Sequence, residues 1–169
     1  MNSIFARRSI RKYTNQEVSE ETVEKLIRAG MAAPSAGNEQ PWHFIVIRDR
    51  DILCQISNFH PYAQMLKEAA CAIVVCGDKT LEKFEGFWVQ DCSAATQNIL
   101  LEAQELGLGA VWLGVYPVKE RTEALKKLLE IPDNVTPLSI VSVGYPAESK
   151  APSDRFDPSR IHRDRWQGK

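Results

Sequence analysis

A domain that alternates helices with strands follows from three features of the sequence: four short apolar runs rich in β-branched residues, amphipathic segments between them, and glycine or proline at most of the joints. By pattern alone, this alternation suggests a parallel, doubly wound sheet. At 169 residues and 44% hydrophobic content the chain is long enough for one sizeable core, and residues 1–169 are read as one domain.

The elements follow in order. Ser19 ahead of Glu20 and Glu21 has the makings of a capped helix start, and Val23, Leu26, Ile27, Gly30 and Met31 recur at three-and-four spacing. Pro34 stops that helix. Phe44–Ile47 is a continuously apolar strand covered on both sides, after which Asp49 caps a helix through Leu53 and Ile56. His60-Pro61-Tyr62 breaks the chain before a short helix ending near Ala70. Ala72–Cys76 is a second buried strand, closed by Gly77-Asp78. From Trp88 to Leu106 a long helix carries Cys92, Ala95, Ile99, Ala103 and Leu106 on one stripe, widened by Ala94, Leu100 and Leu101. Gly107-Leu108-Gly109 ends it, Ala110–Leu113 is a third strand, and Val118–Leu129 is a helix stopped by Pro132. Leu138–Val143 is the fourth strand. Beyond Glu148 the chain turns polar, basic and irregular.

A formal net charge of −1 gives no general pull toward nucleic acid or an acidic membrane, so any cluster of arginines needs a local reason. No apolar run is long enough for a membrane span, and the first eight residues lack the apolar core of a signal peptide, so a soluble cytoplasmic protein is expected. Cys54, Cys71, Cys76 and Cys92 stand in apolar surroundings without a C-x-x-C pair, and the three histidines are scattered. Buried free thiols are expected, with no metal site.

Two segments carry chemistry. Arg7-Arg8-Ser9-Ile10-Arg11 sets three guanidinium groups and a hydroxyl within five residues, a holder for a phosphate and for carbonyl oxygens on a heterocycle. Alone, such a cluster is more often a solvated basic terminus. Ala33 to Trp42 packs small residues, two prolines and hydrogen-bonding amides into a helix-to-strand joint, which lets a flat ligand come close.

With Arg-Arg-Ser-x-Arg at residues 7–11 and Pro-Ser-Ala-x-Asn-x-Gln-Pro-Trp at 34–42, the chain resembles the FMN-dependent nitroreductase family. The resemblance implies an α+β fold, with a mixed β-sheet, helices on both faces and an intertwined homodimer whose interface holds the long central helix. It implies two identical sites at that interface, each binding FMN. Arg7, Arg8 and Ser9 lie toward the phosphate and ribityl end, and Arg11 lies by the pyrimidine edge, where a cation stabilises charge that builds on reduction. Pro34, Ser35, Ala36 and Asn38 cover the flavin of the other subunit. Leu113 and Gly114 bring backbone N–H near N5, Gly114 standing where some larger members have glutamate. Arg155 matches the basic tail residue on the phosphate, and residues 149–169 form a tail on the partner subunit, with Trp166 packed there. Gln40, Pro41, Trp42 and His43 are structural. Tyr62, Gln64 and Met65 stand where larger relatives place asparagine and lysine near the flavin.

The activity implied is FMN-dependent transfer of hydride from NADH or NADPH, through flavin N5, to a small-molecule acceptor such as a nitroaromatic, quinone or flavin, with ping-pong kinetics. The flavin carries the chemistry, so no catalytic side chain is assigned. The alternatives are a flavin-binding or flavin-sensing protein with little turnover, and a specialised reductase of the same fold, of dehalogenase or ene type.

Overall fold

The computed structural model describes residues 2–168. Its elements are α1 (Ser3–Ala6), α2 (Glu20–Met31), β1 (Trp42–Ile47), α3 (Arg50–Phe59), β2 (Cys71–Asp78), α4 (Trp88–Glu105), β3 (Gly109–Gly114), α5 (Lys119–Leu128) and β4 (Val135–Gly144). Single 3₁₀ turns occupy Ala36–Asn38, Gln64–Lys67 and Pro158–Arg160. The expected caps are in place: Ser19 accepts from the Thr22 N–H and Asp49 from that of Ile52. At the end of α4 the Leu108 N–H donates to Ala103 O (2.7 Å) and the Gly107 N–H to Gln104 O (3.2 Å). This is the paired bonding of a Schellman ending, and it needs the positive φ (+72°) of Gly107.

The strands run in the order β1-β2-β4-β3, and every neighbouring pair is antiparallel. The doubly wound parallel sheet suggested by alternation is therefore not formed, and the architecture is α+β. The reason lies in the segment after α3. Arg50, in the first turn of α3, donates to the carbonyls of Leu66 (3.0 Å), Lys67 (2.6 Å) and Ala69. Residues 60–69 thus run back along the whole of α3, and β2 enters beside the end of β1, Ile47 opposite Ala72. A βαβ unit lacks this extra pass. Among the described residues the one parallel pairing is an isolated bridge between Ser9 and Ala110.

Strands β2 and β4 are central and buried along their whole length, so alternate side chains feed two cores. Ile73, Val75, Val141 and Val143 meet α2 and α4 through Val23, Leu26, Cys92, Ala95 and Ile99. Val74, Cys76 and Ile140 meet α3 and α5 through Leu53, Ile56 and Leu125. Asp78 completes β2 instead of merely closing it. Burial alone would raise its carboxyl, but hydrogen bonds from Thr80 and Asn134 hold it down to about 2.

Of the four free thiols, Cys71, Cys76 and Cys92 are buried as expected, and burial pushes them up, Cys71 to about 11 and Cys76 to about 12. Cys54 departs from the expectation. It lies on the outer face of α3 and is exposed, because Leu53 and Ile56 already supply the buried stripe. Among the described residues no three metal-ligating side chains cluster, and no helix is long and apolar enough to cross a membrane.

Candidate functional site at the end of strand β3

The arginine-rich start of the chain is tied to β3 and to the beginning of the tail. The Ile10 N–H donates to Ala110 O (3.0 Å), Lys150 Nζ to Ser9 O (2.8 Å), the Arg11 N–H to Glu148 Oε1 (2.6 Å), and an Arg8 guanidinium N–H to Ala151 O. This return of the tail brings Arg155 to Arg7 and Arg8. Half-burial makes the Arg7 guanidinium costly to keep charged, and Arg155 and then Arg8 lie close enough to repel it further. None of the three has a carboxylate partner among the described residues. Cations gathered this way, without a carboxylate between them and with Arg7 part-desolvated, fit an anion.

Past the arginines a cleft of about 410 Å³ opens at the far end of β3, lined by Arg11, Trp112, Leu113, Gly114, His60, Tyr62, Gln64 and Met65. That volume lies within the range of roughly 300–1,000 Å³ that small-molecule sites occupy. A Cβ on Gly114 would meet nothing within 4 Å, so the absent side chain leaves open space. Leu113 turns its side chain into the core. The cleft thus unites three expected residues, Arg11, Leu113 and Gly114, with the Tyr62–Met65 segment. It also contains His60, whose only sequence signal was a chain break. Its ring Nε2 lies 2.9 Å from Gly114 O. Arg121 Nη1 donates to the same oxygen (3.0 Å), and nothing in the polar face of α5 singled that residue out.

Pro34, Ser35, Ala36 and Asn38 lie elsewhere in the chain's fold, against the start of α4. The turn there is in an unfavourable backbone state: Gly37 (φ 52°), Asn38 (φ 55°) and Gln40 (φ 49°) are all left-handed. Gln40 locks it, its N–H donating to Ser35 Oγ (3.0 Å) and its Nε2 to Asn38 Oδ1 (2.9 Å). Asn38 Nδ2 has no hydrogen-bond partner among the described residues, and Gln40 has the structural role expected of it. Trp42 opens β1, and His43 sits at the strand's exposed edge, 3.4 Å from Asp78.

Beneath the turn lies an acidic pair that the sequence reading missed. The Ala36 N–H donates to Asp91 Oδ1 (3.0 Å), while the Lys83 and Phe84 N–H groups donate to Glu39 Oε2 (2.7 and 3.2 Å). The other two oxygens, Glu39 Oε1 and Asp91 Oδ2, are buried without an N–H or O–H partner, and the two carboxyls lie within reach of each other. A proton on Asp91 satisfies both. An aspartate inside the apolar stripe of α4 was the available signal.

The nitroreductase family model matches residues 4–60 and 59–145. The chain belongs to the nitroreductase family. Among similar proteins is a candidate NADH dehydrogenase/NAD(P)H nitroreductase of Methanothermobacter thermautotrophicus, 54% identical over 98% of this chain and 87% of its own. An FMN-dependent nitroreductase from Clostridium difficile superposes with a TM-score of 0.90 at 31% identity, covering 98% of this chain and 99% of that one. A candidate nitroreductase from Desulfovibrio desulfuricans, solved in complex with FMN, gives 0.83 at 33% identity, covering 98% and 96%. The motif at residues 7–11 and the whole of that at 34–42 therefore fall inside the stretch matched to the nitroreductase family.

Proposed function

We propose that this nitroreductase is an FMN-dependent NAD(P)H oxidoreductase whose site is the cleft at the end of β3 together with the arginine cluster at its start. The observation that carries the reading is the set Arg7, Arg8 and Arg155, three cations without a carboxylate partner among the described residues. A nucleotide phosphate supplies the missing charge. From Ala110, bridged to Ser9, to Gly114 the strand covers about 13 Å, room for a ribityl chain between phosphate and ring.

In this arrangement Arg7, Arg8, Ser9 and Arg155 hold the phosphate end. Arg11 holds the polar edge of the ring and balances negative charge there. The backbone at Leu113 and Gly114 lies against the ring, with the bare Gly114 leaving it room. Bound FMN supplies two-electron transfer from NADH or NADPH to an oxidised acceptor such as a nitroaromatic, quinone or free flavin. Donor and acceptor enter one cleft in turn, which gives ping-pong kinetics, and protons come from water.

The site is completed in a homodimer. Ile4, Phe5, Met31, Phe156, Ile161 and Trp166 leave large apolar surfaces in water in the single chain, Trp166 at 81% exposure. A partner subunit covers the α1 face and receives the 149–169 tail, and its own Pro34–Asn38 turn closes over the neighbouring flavin.

The deciding experiment is the visible spectrum of purified protein before and after anaerobic NADH or NADPH. A flavin spectrum that bleaches with donor and returns with a nitroaromatic or quinone supports the reading. A flavin spectrum that no donor bleaches points to a binding protein, and a colourless protein that cannot take up FMN refutes the site.

A further inference from the structure

His60, Tyr62, Gly114 and Arg121 form a closed ring of contacts in the wall of the cleft. The Tyr62 N–H donates to His60 Nδ1 (3.3 Å), so the His60 proton sits on Nε2 and is given to Gly114 O. Arg121 gives a second donor to that carbonyl, and its guanidinium carbon lies 5.5 Å over the Tyr62 ring. Three separate parts of the fold meet here: the end of α3, the end of β3 and the first turns of α5.

Two donors on one carbonyl are more than a strand end needs. The backbone continues with the Val115 and Tyr116 N–H groups both aimed at Leu138 O (3.1 and 3.0 Å), so the peptide after Gly114 is held from either side. His60 is 1% exposed. Burial disfavours a second proton on its ring, the Gly114 hydrogen bond opposes this in part, and the Arg121 charge adds to the penalty. Its donor role is thereby kept over the working range of pH. Arg121 is only partly buried, and its guanidinium reaches the Gly114 carbonyl at the cleft wall.

We propose that His60 and Arg121 are positioning residues: together they lock the Gly114 carbonyl, hold the cleft wall in one orientation toward the isoalloxazine ring, and place a positive charge behind it that favours reduced over oxidised FMN. The proposal rests on the flavin reading above. The orientation comes from two directed hydrogen bonds, and the charge acts at short range from a partly exposed position, so its effect weakens with added salt.

The test uses the full-length protein with and without flavin. In flavin-free Arg121→Met, amide hydrogen exchange at residues 114–116 is expected to quicken about tenfold while the thermal midpoint hardly moves. In the loaded protein, the ratio of affinities for reduced and oxidised FMN is expected to fall about tenfold, equivalent to about 30 mV on a two-electron potential. Arg121→Lys, which keeps the charge and a donor, restores most of that ratio. His60→Phe should quicken the same exchange. If His60→Phe does not fold, Arg121→Met decides alone. Unchanged exchange and an unchanged ratio in Arg121→Met overturn the proposal, and so does an unchanged ratio with a lowered thermal midpoint, which marks a merely structural contact. Failure of the wild type to bind FMN, with exchange still quickened, sinks the flavin reading and leaves the lock on Gly114 standing.

Discussion

Asp91 and Glu39 meet beneath the Ala36–Asn38 turn, Asp91 Oδ1 accepting from the Ala36 N–H while Asp91 Oδ2 and Glu39 Oε1 are buried with no other partner, and this contact fastens α4 to the loop that precedes β1. Burial first, then the neighbouring Glu39 and Glu82 charges, push the Asp91 carboxyl up to about 6, against a partial offset from the Ala36 N–H. Glu39 moves the other way. Its burial is outweighed by donors from Lys83, Asp91 and Phe84, which hold it below its ordinary range.

The signs fix a pH profile. Between the ordinary aspartate value and about 6, the folded protein holds a proton at Asp91 that the unfolded chain has released, so stability falls as pH rises through that window. Glu39 contributes stability above its unfolded value that is lost on acidification. The pair is therefore most stabilising at about pH 4, between the ordinary aspartate and glutamate values, and loses stability from there to about pH 6. Asp91→Asn, which keeps both the acceptor and a donor, should flatten the alkaline limb and raise the thermal midpoint at pH 7–8. Melts from pH 4.5 to 8 check this, and an alkaline limb that survives in the variant contradicts the shared proton.

Arg7→Ala should separate stability from binding. It removes a part-desolvated cation that Arg155 and Arg8 repel, so the flavin-free protein should melt no lower than wild type and somewhat higher in low salt. FMN affinity should drop about 10- to 100-fold, the loss of one charge-assisted hydrogen bond of roughly 1.5–3 kcal/mol. Flavin titration followed by fluorescence quenching measures the second effect.

Gly114→Leu tests the open side of the cleft. Nothing lies within 4 Å of an added Cβ, so the variant should fold with stability within about 0.5 kcal/mol of wild type. On the proposed reading its apolar side chain fills the cleft beside the ring, and FMN affinity and turnover should both fall at least tenfold. A yellow, fully active variant argues for a ring bound elsewhere.

Arg50→Ala probes the fold alone. Three carbonyls lose a charged donor, and the return pass of residues 60–69 loses its anchor on α3. A cost of about 2 kcal/mol is expected in urea unfolding, with FMN affinity per folded molecule unchanged.

Element positions were legible because periodicity and caps are local: Ser19 and Asp49 start their helices where the spacing places them. Strand direction was not, since it depends on Arg50 reaching carbonyls up to nineteen residues away. The four-residue α1 has too few turns to show a period. In the site, Arg11, Leu113 and Gly114 were readable from motifs and do share one cleft. His60 and Arg121 act through backbone oxygen, a partner no side-chain pattern records. Asp91 and Glu39 become a pair only once a helix start packs under a turn 52 residues earlier.

The left-handed run at Gly37, Asn38 and Gln40 has a kinetic meaning as well. A segment held by its own hydrogen bonds surrenders little further freedom when a guest arrives, so on the reading proposed above capture of a flat aromatic guest is governed by encounter and desolvation instead of by loop rearrangement.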